Sequence, residues 1–163
     1  MKLLSIFLLL CSFQSFGQEK EDAEVKREVD EINFYVKYVD SISNHIEEEI
    51  SDGEIVLSHG RIDGKPTRKI FTRTRIIKAS NQIIRISYMQ RATHDKELNL
   101  YFLDAKLVYA ERNILRGKKG KSSISKFYYE NEIDIYSTNP KNYPLEGIDV
   151  IVEAEHLVKQ ASR

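Results

Sequence analysis

The chain is poor in several things at once: one cysteine, no tryptophan, three prolines, seven glycines and no excess charge, with 25 Lys plus Arg against 25 Asp plus Glu in 163 residues. Few Pro and Gly beside 41% hydrophobic residues exclude a collagen-like or disordered chain. Zero formal charge excludes a uniformly basic nucleic-acid binder, and no sequence-specific nucleic-acid partner is expected. The longest apolar run, Leu3 to Phe13, is shorter than the roughly 20 residues a membrane-spanning helix needs.

That run has its own meaning. Met1-Lys2 gives it a basic start, and the small residues Ser15 and Gly17 follow before Gln18 to Glu24 turns polar. This is the layout of a signal peptide, with cleavage expected near Gly17. Cys11 lies inside the run behind Leu10, where lipidation needs a small residue, so no lipid anchor is expected. The predicted organisation is a signal peptide over 1–17 and a single domain over 18–163, exported to the periplasm or cell exterior. The mature chain has no transmembrane span and no cysteine, hence no disulfide, thiolate metal site or Cys nucleophile.

From Lys20 to Asp52, Val25, Val29, Ile32, Val36, Val39, Ile42, Ile46 and Ile50 recur at spacings of three and four, which predicts one long helix stopped by Gly53. Beyond it, β-branched and aromatic residues fall in short runs between turn residues. These predict strands at Glu54–Ser58, Arg68–Lys78, Gln82–Arg91, Glu97–Leu103, Lys106–Leu115, Ser123–Tyr129 and Ile133–Ser137. A two-residue loop at Asp104-Ala105 would pair Phe102 with Leu107 and Leu100 with Tyr109. A three-residue loop at Ala79-Ser80-Asn81 would pair Ile76 with Ile84 and set Arg75 opposite Arg85. Phe127 to Tyr136 repeats the aromatic-turn-aliphatic plan of Tyr101 to Tyr109. Pro144 to Ser162 alternates like a strand at Ile148, Val150 and Val152, but its helical spacing and its Glu153-to-Gln160 run favour a helix. The fold class is therefore α+β: a long N-terminal helix, an antiparallel meander of about six or seven strands and a C-terminal helix, with the sheet packing one face on the helices.

The layout resembles that of small uncharacterised exported bacterial proteins with a signal peptide, an acidic N-terminal helix and aromatic hairpins such as Tyr101 to Tyr109. The resemblance implies compartment and fold, and no functional residues. This chain departs from it in having Ala105 where Gly usually follows the turn Asp.

Neutrality conceals a segregation. Gln18 to Asp52 holds 12 acidic and 4 basic residues, Arg61 to Lys126 holds 17 basic and 5 acidic, and Phe127 to Arg163 holds 7 acidic and 3 basic. Two readings follow: the acidic helices neutralise a basic sheet, or Arg73, Arg75, Arg85 and Arg91, with Tyr101, form a contact face for an unknown protein or an anionic envelope component. No catalytic residue, cofactor or metal is nominated. His45, Glu48 and Glu49 share a helical face in this reading but lack further ligands. Gly117-Lys118-Lys119-Gly120-Lys121-Ser122 has the wrong spacing for a phosphate-binding loop. The expected role is a non-enzymatic binding or interaction protein. The alternative is a carrier holding an apolar ligand or lipid between a curved sheet and the helix, and the remote alternative is an enzyme on the same scaffold.

Overall fold

The computed structural model describes residues 2–57, 68–91, 95–115, 122–138 and 147–162, with side chains described from residue 22 onward except at 56, 57, 68 and 69. The elements are α1 (Lys2–Ser43), β1 (Glu48–Leu57), β2 (Arg68–Ala79), β3 (Gln82–Arg91), β4 (Lys96–Leu103), β5 (Lys106–Ile114), β6 (Ser123–Glu130), β7 (Ile133–Thr138) and α2 (Gly147–Ala161). The strands form one antiparallel sheet in the order of the chain, β1 to β7. The α+β class and the meander are as the sequence predicts. Among the described residues no helix is long and apolar enough to cross a membrane. Gly117-Lys118-Lys119-Gly120-Lys121 lies outside the described residues.

The helices lie on opposite faces of the sheet, whereas the sequence reading placed both on one. α2 buries Val150, Ala154 and Leu157 against Ile76, Ile86, Leu98, Leu100, Phe102, Leu107, Phe127 and Tyr129. Residues 150, 154, 157 and 158 recur at helical spacing, while Ile148 and Val152 point outward, 57% and 62% exposed. Period 3.6 therefore wins over period 2 in this segment. α1 covers the other face with Val29, Ile32, Tyr35, Val36 and Val39 over Tyr101, Tyr109 and Tyr128. A sheet covered on both faces buries both alternating sets of side chains, and each fully buried Leu, Ile or Phe is worth roughly 1.5–3 kcal/mol.

α1 ends nine residues before the predicted Asp52. His45 N–H bonds the Ile42 carbonyl in a closing turn, and Glu48 onward becomes the edge strand β1. There the segment gains a ten-residue backbone ladder with β2, and some of its carboxylates gain cationic neighbours. Asp52 lies directly opposite Arg73, Ile50 opposite Arg75 and Glu48 opposite Ile77, so β1 sets its carboxylates beside the cations of β2. Gly53 is a strand residue here, facing Thr72, whose hydroxyl would lie 2.7 Å from any Cβ added to it. Glu48 and Glu49 point to opposite faces of β1, so the three-residue geometry with His45 does not form.

Three hairpins share one construction. The turns Ser80-Asn81, Asp104-Ala105 and Asn131-Glu132 each have two residues at positive φ, from 50° to 66°, the signature of a two-residue type I′ turn. Each is followed by a one-residue register shift that leaves Ile84, Val108 and Ile135 as the extra, bulged residue. This corrects both predicted registers. Phe102 does face Leu107, but Leu100 faces Ala110 and Tyr101 faces Tyr109. Ile76 faces Ile86, Arg75 faces Ser87 and Arg85 faces Ile77. A two-residue loop alone would have set Arg85 against Ile76, mixing charge into the core. The bulge at Ile84 restores the alternation, and Ile84, Val108 and Ile135 then pack beneath α1.

Candidate binding groove

The bulges align one residue from every strand into a single cross-strand row. Glu48, Ile77, Arg85, Tyr101, Tyr109, Tyr128 and Tyr136 are successive partners from β1 to β7. The four tyrosine rings stack edge-on or tilted at 5.5, 5.0 and 5.7 Å between centroids, distances at which aromatic pairs attract. Three of their hydroxyls donate hydrogen bonds. Tyr101 donates to Asp40 at 2.8 Å, Tyr109 to Glu111 at 3.0 Å and Tyr128 to Asn33 at 3.1 Å. Burial, reinforced by neighbouring carboxylates, pushes the Tyr101 and Tyr109 phenols well above their ordinary value.

Arg85 begins the aromatic part of this row. Its guanidinium lies 5.3 Å from the Tyr101 ring centroid, reaches Asp40 at 3.1 Å and Asn99 Oδ1 at 3.3 Å. Tyr101 itself is 4% exposed beneath α1. The sequence reading of Arg85 and Tyr101 as outward contact residues is therefore corrected: they clamp α1 to the sheet. Both lie on the face away from the aliphatic core, and there α1 covers them.

α1 runs over the sheet from Asn33 at Tyr128 of β6 to Asp40 at Tyr101 of β4 and Arg85 of β3. On the same face Ile77 is buried, but Phe71, Arg73 and Arg75 of β2 and Ile50 of β1 stay exposed. There the alternation of Phe71-Thr72-Arg73-Thr74-Arg75 sends Phe71, Arg73 and Arg75 to one side. Across the ladder, Phe71 faces Arg91 and Arg73 faces Met89, so cations and apolar groups alternate as on a checkerboard. Together with Asp52, Gly53 and Thr72 they line an open groove of about 390 Å³. Its lining carries three guanidinium groups and one carboxylate, a net charge of plus two. Arg73 grips Asp52 through Nε at 2.7 Å and a terminal nitrogen at 2.9 Å. That hydrogen bond holds the Asp52 carboxyl below the usual carboxylate range. Arg75 stands 4.0 Å from Glu48. Arg91 has no acidic partner among the described residues. Phe71, 56% exposed, supplies the apolar floor.

A smaller recess of about 240 Å³ adjoins the groove under the end of α1 and shares Arg73, Arg75 and Met89 with it. Arg73, Arg75 and Arg85 there meet Asp40, Glu48 and Glu97, so the recess is charge-balanced. Of the nominated residues, the structure thus brings Arg73, Arg75 and Arg91 together at the groove and moves Arg85 and Tyr101 inside. Sequence reasoning missed Phe71 and Met89. Phe71 was legible, since it shares the alternation of Arg73 and Arg75, whereas Met89 needed the β2–β3 register. No family model, curated protein or solved structure matches this chain.

Proposed function

We propose that this is an exported, non-enzymatic binding protein that takes its partner in the groove on β1–β3. The observation that carries the reading is the exposed Phe71 and the half-buried Met89 set among Arg73, Arg75 and Arg91, the last without an acidic partner among the described residues. Aromatic residues, Met and Arg are the side chains enriched at protein interfaces. A net charge of plus two favours a protein segment presenting carboxylates beside an apolar side chain. Export rests on the basic start and the Leu3-to-Phe13 apolar run. The carrier alternative draws no support from the layer between α1 and the sheet, which Val39, Tyr101, Tyr109 and Tyr128 fill.

The test is a photo-crosslinking amino acid placed at Phe71, with Ile148 on the outer face of α2 as the control, in cells producing the protein. A discrete adduct formed from position 71 and weakened by Arg91→Glu supports the reading. Equal labelling from positions 71 and 148, or none from 71, removes it.

A further inference from the structure

The outward face of α1 bears the most exposed large apolar side chain among the described residues, Phe34 at 76%, with Tyr38 at 54% one turn on. At 100° per residue, Ala23, Arg27 and Ser41 lie within about 20° of Phe34 and form one stripe with it. Asp30 and Lys37 flank the stripe on one side, and Glu31 and Tyr38 on the other. All of these are exposed. A shallow recess of about 510 Å³ lies on this face beside Phe34, lined by Ala23, Lys26, Arg27, Asp30, Glu31 and Phe34.

We infer that two copies of this chain pair through α1, antiparallel, about a two-fold axis at Phe34. In such a pair the helix face must complement itself, each residue meeting one from the same side of the other copy's stripe. A register centred on Phe34 does this twice. Lys37 comes opposite Asp30 of the other copy, and by symmetry Asp30 meets Lys37, giving two ion pairs on one flank. On the other flank Tyr38 comes opposite Glu31 of the other copy and fills the recess bounded by Arg27, Glu31 and Phe34, where its hydroxyl can donate to the Glu31 carboxylate. Both flanks independently select one register, because 30 with 37 and 31 with 38 are each centred within half a residue of 34. Phe34 packs on its own symmetry mate, at the desolvated centre where aromatic anchors contribute most. The surface is separate from the groove on β1–β3, so neither proposal depends on the other.

The experiment is sedimentation equilibrium of the purified protein at concentrations on the order of 10 μM, where a micromolar interface is populated. Wild type is expected at the mass of two chains. Phe34→Asp and Asp30→Lys should each weaken association by at least about tenfold, with unchanged circular dichroism because both side chains are exposed. Asp30→Lys combined with Lys37→Asp should restore the dimer, since it re-forms both ion pairs in reverse. A single-chain mass for wild type overturns the inference. So does a dimer indifferent to Phe34→Asp and Asp30→Lys, or a charge swap that fails to restore pairing.

Discussion

Tyr101 on β4 and Asp40 on α1 are 61 residues apart in the chain and joined by a 2.8 Å hydrogen bond. Arg85 closes the triangle, 3.1 Å from Asp40 and over the Tyr101 ring. These three side chains hold the C-terminal half of α1 to the sheet, and they set where the helix stops covering it and the groove begins.

Removing either end of this contact should loosen α1. Tyr101→Phe deletes one hydrogen bond and is expected to cost about 1 kcal/mol, while Asp40→Ala also strips Arg85 of its carboxylate and should cost about 1–3 kcal/mol. Because the groups touch, the double variant should lose less than the sum. Urea unfolding of the two single variants and the double measures the coupling; simple additivity would show that the triangle does not act as a unit.

The turn positions Ala105, at φ 63°, and Glu132, at φ 66°, pay for a left-handed backbone without glycine's freedom. Ala105→Gly and Glu132→Gly should each stabilise the protein by about 0.5–1 kcal/mol, the relief of left-handed strain less the added entropy of the unfolded chain. Thermal unfolding of each variant checks this, with a raised midpoint expected. A lowered midpoint would mean that side-chain contacts at the turns outweigh the strain.

The buried phenols set an alkaline limit. Tyr101, Tyr109 and Tyr129 all have raised pKa values, chiefly through burial, so the folded protein holds these protons where the unfolded chain releases them. Their contribution is fully present below the ordinary tyrosine value of about 10 and is lost progressively as pH rises from there through the raised folded values. Near-ultraviolet absorbance should therefore show the exposed tyrosines ionising first and the buried ones only together with a loss of circular dichroism. Smooth titration of all nine tyrosines without unfolding would contradict this burial.

At the start of α2, Asp134 of β7 packs against Gly147, and a Cβ added there would come 2.9 Å from both Cβ and Cγ of Asp134. Tyr129 donates to the Gly147 carbonyl at 3.0 Å, fixing the helix end so that it cannot retreat freely. Gly147→Ala should cost about 1–3 kcal/mol by overpacking, and adding Asp134→Ala should recover most of that loss. Chemical denaturation of the single and double variants is the measurement, and failure of Asp134→Ala to rescue would place the strain elsewhere.

The strands were legible because their alternation is local. Tyr101 to Tyr109 and Phe127 to Tyr136 announced their hairpins through turn residues between aromatic and aliphatic runs, and Val150 to Val158 announced a helix through its spacing. The bulges were not legible. Nothing in Ile84, Val108 or Ile135 marks it as the extra residue, since the shift exists only relative to a partner strand. Ile46 and Ile50 continued the apolar period of α1 yet went elsewhere, because the alternative, a strand ladder on β2 with Asp52 beside Arg73, exists only once that distant strand is formed. At the groove, Arg73, Arg75 and Arg91 could be nominated from residue type and alternation, whereas Arg85 could not be told from them without α1 in place.

The sequence by itself thus determined the α+β class, the meander, the two helices and the separation of acidic from basic segments, all properties of residues near one another along the chain. Tertiary structure alone decided that the helices take opposite faces, that a tyrosine row lies buried between α1 and the sheet, and which arginines stay outside. Those outcomes depend on register and coverage, which arise when distant segments compete to bury apolar surface and pair charge.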